Sequence, residues 1–314
     1  MKIFKKFIRL IGQSFKKLII KMYPSLIAVS IGLVIGFIVM LFFNPSSAGS
    51  AFIQLLLGGT NNGSVGIGNT LYGAAPIILT GLAVAFAFKT GLFNIGASGQ
   101  MMIGAYVSIH IGVLWNLPIH LHWIVALIGA AIGGLIWGLV TGLLKAFRNV
   151  NEVVTSIMMN YIAANLIIIL IRNNVYNKDA ARSLNILDSA QLPTTNLFEG
   201  SSFNIGFFIA VIIVIIAHII IHRSTLGFEL RATGLSREGA KYAGMKTKKS
   251  IISSFCFSGA FAGIAGGIAY LVSGKTISIA YTIFTEGFDG ISVALLGLGE
   301  PLGALFAGLF LSHL

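Results

Sequence analysis

Three sets of residues in this 314-residue chain have types and spacings that could do chemistry. The first is AYLVSGKT, Ala269 to Thr276. A phosphate loop reads G-x-x-x-x-G-K-[ST], and Gly274, Lys275 and Thr276 stand where its backbone, ammonium and hydroxyl would cradle ATP. The second is His218 and His222, one helical turn apart, a spacing that can hold a metal ion. The third is a group of polar side chains within or beside apolar stretches: Asn94, Ser98 and Gln100, then Glu152, Thr155, Ser156 and Asn160, then Asp289. Unpaired polar groups in hydrocarbon are costly, so these must face protein or a wet cavity.

The elements that must position them follow from composition. The chain is 56% hydrophobic and only 10% charged, with mean hydropathy +0.92, whereas a soluble domain is about a quarter charged. Such a chain cannot cover its surface with polar groups and belongs in a bilayer. The expected fold is an all-α polytopic membrane protein. Eight apolar segments are long enough to span, at 25–43, 71–88, 91–114, 123–144, 153–171, 203–221, 251–273 and 289–312. Pro301 interrupts the last, which reads as a re-entrant hairpin, and the abrupt stop at Leu314 leaves open a further helix. The net charge of +12 reflects few acids and clustered bases rather than nucleic-acid binding. With the N-terminus inside, 17 of the 21 Lys and Arg fall on the cytoplasmic segments 1–24, Lys89, 145–152 and 222–250. The single cysteine, Cys256, permits no disulfide within the chain and suggests no thiolate metal site.

This topology decides the first two sets. Lys275 falls on the outer side, just past an apolar segment, with neither the preceding β-strand nor access to ATP that a phosphate loop needs. The chain therefore binds no nucleotide cofactor of its own. His218 and His222 sit at the inner end of a segment with no third ligand in view, so no metal site is expected. Residues 129–142 and 259–267 are dense in small side chains and read as close-packing surfaces, with a dimer interface as one location. A faint echo between TGLFNIGA at 90–97 and EGFDGISVA at 286–294 raises an internal pseudo-repeat.

Two polar regions remain. Residues 1–24 carry Ile3, Phe4, Phe7, Ile8 and Ile11 at helical spacing against Lys2, Lys5, Lys6 and Arg9. This predicts a cytoplasmic basic amphipathic helix lying on anionic lipid. The loop 222–250 has Leu230, Ala232, Gly234, Leu235, Ala240, Tyr242 and Met245 on an apolar side. A short helix is expected from about Arg237, capped by Thr233 or Ser236.

LRATGLSREGAKYAGM, within that loop, resembles the cytoplasmic coupling segment of permease subunits in bacterial ATP-driven importers. FKTGLFNIGASGQMMIGAY (88–106), NEVVTSIMMNYIA (151–163) and EGFDGISVALLGLGEPLG (286–303) are similar to motifs of the branch that handles simple sugars, branched-chain amino acids and nucleosides, and together resemble its nucleoside subgroup. Ser98 stands where an acid is common, and Leu298-Gly299-Glu300 where RNN is common. The resemblance implies a type II ABC-importer-like permease domain over 25–314 in the bacterial plasma membrane. It implies a second permease subunit, often a different chain, ATPase subunits that bind ATP and Mg, and an extracellular substrate-binding lipoprotein. Coupling to the ATPase would then run through Arg231, Gly234, Arg237, Glu238, Ala240, Tyr242 and Gly244.

Within that frame Asn94, Ser98, Gln100, Thr155, Asn160 and Asp289 are candidates to line a pathway and hydrogen-bond ribose hydroxyls or base edges, with Phe93 as a stacking face. Interhelical packing is the competing role for each, and helix-start pairing with Lys145 and Arg148 is the expected role of Glu152. The alternative cargo is a simple sugar. A secondary transporter is disfavoured because no acid lies mid-span, and a membrane enzyme because no convergent His, Asp, Glu or Ser/Lys set appears.

Overall fold

The computed structural model describes the backbone from Lys2 and the side chains from Tyr23 onward. Among the described residues its regular secondary structure is helical apart from a two-stranded hairpin, β1 (Tyr176–Asn177) and β2 (Arg182–Ser183). The helices are α1 (Lys2–Phe43), α2 (Pro45–Leu57), α3 (Gly63–Phe88), α4 (Ala97–Leu114), α5 (Ile119–Arg148), α6 (Glu152–Asn174), α7 (Gly206–Arg223), α8 (Thr225–Leu235), α9 (Arg237–Tyr242), α10 (Thr247–Tyr270), α11 (Glu286–Leu296) and α12 (Pro301–His313). Among the described residues, seven stretches are long and apolar enough to cross a membrane: Tyr23–Phe43 within α1, and α3, α4, α5, α6, α7 and α10. The chain is an all-α polytopic membrane protein. The amphipathic pattern expected for residues 1–24 falls almost wholly on side chains outside those described.

The eighth apolar segment is broken, and the sequence explains why. Leu298 (φ 56°) and Gly299 (φ 62°) are left-handed, which ends α11, and Pro301 sits at the start of α12, where its missing N–H costs nothing. Helices of 11 and 13 residues are each too short to span. They form a hairpin against α3. Its bend brings Glu300 to Lys89 at 2.7 Å, and α12 then runs back along α3 until Ser312 Oγ donates to the Thr70 carbonyl at 2.8 Å.

Two expectations need correction. The segment 91–114 is not helical from its start: residues 91–96 are irregular after Gly91 (φ 66°), and α4 begins only at Ala97. The echo between TGLFNIGA and EGFDGISVA is not a structural repeat, since the first is this irregular approach and the second is helix α11. Residues 44–70, between the first two apolar segments, contain α2 and the start of α3.

The core is centred on α3 and α10. The small residues of α5 and α10 pack on each other. A side chain at Gly134 would strike the Gly259 carbonyl, and one at Gly263 the Ala130 carbonyl. The small residues Gly134, Gly259 and Gly263 are therefore used for packing within the chain.

Candidate functional site

The site is built around two helix starts that meet inside the molecule. At 1.5 Å per residue, Thr80 lies about 12 Å along α3 from its end at Phe88, and Asn160 a similar distance along α6 from Glu152. Thr80 Oγ1 donates to the Glu286 carbonyl at 2.8 Å, and Asn160 Oδ1 accepts from the Gly99 amide at 2.8 Å. Thus α11 and α4 both begin at mid-depth. From there α11 runs toward the Lys89 end and α4 runs the opposite way. Gly287 presses directly on Ser98, whose Oγ donates to the Phe284 carbonyl at 3.0 Å. Broken helices meeting at mid-depth are the usual way for membrane transporters to expose backbone and dipole ends to a solute.

The α4 start has no side-chain cap of its own. Asn160, from α6, takes that role by accepting from Gly99, while its Nδ2 donates to the Ile95 carbonyl at 3.0 Å. Asn94 stabilises the approach: its Oδ1 accepts from the Gly96 amide at 2.9 Å, and its Nδ2 donates to Ser258 Oγ (2.6 Å) and Gln100 Oε1 (3.0 Å). Ser258 Oγ in turn donates to the Ala83 carbonyl. This network ties the loop before α4 to α3, α6 and α10.

The predicted pathway residues divide accordingly. Asn94, Ser98, Gln100 and Asn160 come together, are at most 2% exposed, and bond to protein. Thr155 is also buried, its hydroxyl donating to the Asn151 carbonyl one turn back. Phe93 stacks on Phe88, with centroids 5.1 Å apart. Asp289 is half-buried on the first turn of α11, apart from that network. Ser156, beside Gly96, is buried with an unpartnered hydroxyl. Glu152 makes the expected ion pair with Lys145, at 2.8 Å.

Open space lies on the other side of the junction, in a cavity of about 300 Å³. Its walls are Met102 of α4, Ala164 and Ile167 of α6, Tyr270 of α10, and the stretch 276–286 that leads into α11. Tyr270 and Phe284 stack, with centroids 5.1 Å apart and planes 17° from parallel. Glu286 closes the cavity at the helix start. Sequence reasoning missed these residues because 274–288 reads as a surface loop. The available signal was Glu286 itself, an acid opening an apolar segment with no base within ten residues.

The Lys89 end carries a second surface. Ser236 caps α9 by accepting from the Gly239 amide at 3.0 Å, as one of the two expected capping residues. Thr233 is buried without a partner instead. Helix α8 was not anticipated as a separate element. The presumed apolar side is split between two directions. Leu230 and Ala240 are buried against the protein, whereas Leu235 and Tyr242 are each 90% exposed. Gly234 lies so close to the Lys89 carbonyl and the Gly91 amide that no side chain fits. Arg231 Nε donates to the Gly227 carbonyl, Arg237 is half-buried within electrostatic reach of Glu152, Glu238 is exposed on the first turn of α9, and Gly244 (φ 80°) ends it.

The structure supplies the third group that the histidine pair lacked. His222 Nε2 lies 2.9 Å from Glu300 Oε2, and ligand atoms of His218, His222 and Glu300 lie within 4.8 Å of one another. The other Glu300 oxygen holds the Lys89 ammonium, so an ion-pair network accounts for the cluster better than a dication does. Burial raises the Glu300 carboxyl, but the His222 hydrogen bond and the Lys89 charge outweigh it and push it down to about 2.

Comparison with known proteins gives this geometry its context. Residues 66–314 match the family described as branched-chain amino acid transport system / permease component. The chain is 38% identical over 296 residues to the guanosine ABC transporter permease protein NupP of Bacillus subtilis (strain 168), covering 92% of this chain and 83% of the relative. It is 35% identical over 308 residues to the nucleoside ABC transporter permease protein NupB of Lactococcus lactis subsp. cremoris (strain MG1363), covering 94% and 83%. A second B. subtilis protein, the guanosine ABC transporter permease protein NupQ, is 25% identical, with 77% of each chain covered. No solved structure matches the chain. With a family match over most of its length and broken helices meeting at mid-depth, the chain belongs to the branched-chain amino acid transport system / permease component family.

Proposed function

We propose that this chain is the membrane-spanning subunit of an ATP-driven nucleoside importer in the bacterial plasma membrane. It works with a second permease, separate ATPase subunits and an external binding lipoprotein. Relatives at 38% and 35% identity are named for guanosine and nucleoside transport, which supports the cargo, and the match to both NupP and NupQ of one organism supports a pore built from two different permeases. The excess of basic residues at the Lys89 end supports a cytoplasmic N-terminus, with α8 and α9 in the cytoplasm and the cavity opening outward.

The observation that carries the mechanism is the contact of Gly234 with the Lys89–Gly91 backbone. Leu235 and Tyr242 form an exposed apolar knob for an ATPase subunit, which binds ATP and Mg. Movement of that subunit pushes α8 against the turn after α3. The turn continues through residues 91–96 into the α4 start, where Ser98 meets α11 and the cavity ends. Asn94, Gln100 and Asn160 make this loop stiff enough to carry the displacement. In this reading Ser98 and Asp289 border the pathway, and Asn94, Gln100, Thr155, Asn160 and Phe93 shape it from behind.

Uptake of labelled guanosine into proteoliposomes holding the whole complex tests the proposal. Uptake is expected only with ATP, Mg and the ATPase subunits. Uptake by the chain alone, driven by a proton or sodium gradient, contradicts it.

A further inference from the structure

Among the described residues, Glu286 and Asp289 share the first turn of α11, but of the two Glu286 is the one that lines the cavity. Glu152 is paired with Lys145, and Glu300 with Lys89 and His222. The Glu286 carboxylate has neither an ion pair nor a hydrogen bond, although it is half-buried and lines the cavity at mid-depth. Tyr72, Tyr270 and Asp289 lie within its electrostatic reach, and none of the three is a base. Its compensation within the chain comes from its place on the first turn of α11, where the helix dipole favours negative charge.

A carboxylate so placed calls for donors from the solute. An ionised carboxylate is acceptor-only, with two oxygens side by side, and it matches a partner that offers two adjacent N–H or O–H groups. The rest of the cavity suits a flat, partly polar solute. The Tyr270–Phe284 pair supplies aromatic surface, and Thr276 and Thr285 supply hydroxyls. The amides nearest the junction cannot do this work, since Asn94 and Asn160 already spend their donors and acceptors on protein.

We propose that Glu286 determines cargo specificity in the cavity by accepting a pair of adjacent donors from a neutral nucleoside. This rests on the nucleoside reading above. Two parts of a nucleoside carry that chemistry: the N1–H and 2-amino edge of guanine, and the 2′,3′-diol of ribose.

The test uses the reconstituted complex, with uptake of guanosine, inosine (no 2-amino group) and 2′-deoxyguanosine (diol broken), normalised to co-purified ATPase. Because the binding protein is the same throughout, its own preferences cancel when wild type and variant are compared. Glu286→Gln is expected to lower guanosine kcat/KM roughly 10- to 100-fold, the scale of a lost hydrogen bond to a charged group. Glu286→Asp, which keeps the carboxylate, is expected to recover part of it. If the base edge is held, the guanosine-to-inosine preference shrinks in Glu286→Gln. If the diol is held, the guanosine-to-deoxyguanosine preference shrinks instead. Either result supports the proposal. Wild-type uptake by Glu286→Gln overturns it while leaving the nucleoside reading intact, and so does an equal defect in Glu286→Gln and Glu286→Asp. A requirement for sodium or a proton gradient that disappears in Glu286→Gln overturns it in favour of an ion site. No nucleoside uptake by wild type overturns the cargo reading, and this inference with it.

Discussion

Asn160 shows how a single side chain can hold a broken helix in hydrocarbon. It accepts from the Gly99 amide and donates to the Ile95 carbonyl, two backbone groups with no helical partner. Replacing it with Ala leaves both unpaired at a dry site. The expected loss is about 2–4 kcal/mol, read as a lower melting temperature of the detergent-solubilised protein. Thr155→Ala is expected to cost far less, because its hydroxyl only bonds back to a carbonyl already in the helix. Glu300 gives a pH signature. Its carboxyl is depressed from its ordinary 4.5 to about 2, so its stabilising effect is complete above pH 4.5 and is lost as pH falls toward 2. Melting across that range should fall less steeply in Glu300→Gln than in wild type. The sequence made Asn94, Gln100 and Asn160 legible as amides that must be paired. It did not make their partners legible, since Asn160 and Gly99 are 61 residues apart. Glu286 was passed over because its importance lies in the missing cation, which depends on what folds around it.

At the scale of elements, the apolar runs located every spanning stretch to within a few residues at most ends, because hydrocarbon leaves the backbone little choice but helix. The exceptions are informative. Residues 91–96 continue an apolar run, yet Gly91 turns left-handed and Asn94 bonds the Gly96 amide, so the ladder starts late. The broken end of the chain was marked by Pro301, while the left-handed Leu298 that completes the break carries no signal in its type. Small residues at 129–142 and 259–267 announced close packing without saying against what. Their contact sets the spacing of α5 and α10, which in turn supports α4. Gly134→Leu forces a side chain into the Gly259 carbonyl. It should destabilise by at least about 1–3 kcal/mol, the scale of overpacking, and should reduce the fraction of protein eluting as a single species on size exclusion.

For the whole molecule, one backbone route is proposed to join two surfaces. The exposed knob of Leu235 and Tyr242 lies at one end, the cavity at Glu286 opens toward the other, and the path between them runs through Gly234, the Lys89–Gly91 turn and the mid-depth junction of α4 with α11. Charge asymmetry in the sequence was enough to propose which end faces the cytoplasm. The junction itself was not legible, because it brings together residues nearly 200 positions apart. The measurement that bears most directly on this account is the sidedness of Tyr242. A Tyr242→Cys variant in a Cys256→Ser background is treated with a membrane-impermeant maleimide, in intact cells and in inverted vesicles with and without the ATPase subunits. The account predicts labelling only in inverted vesicles, and protection when the ATPase subunits are present. Labelling from the external medium of intact cells would contradict it.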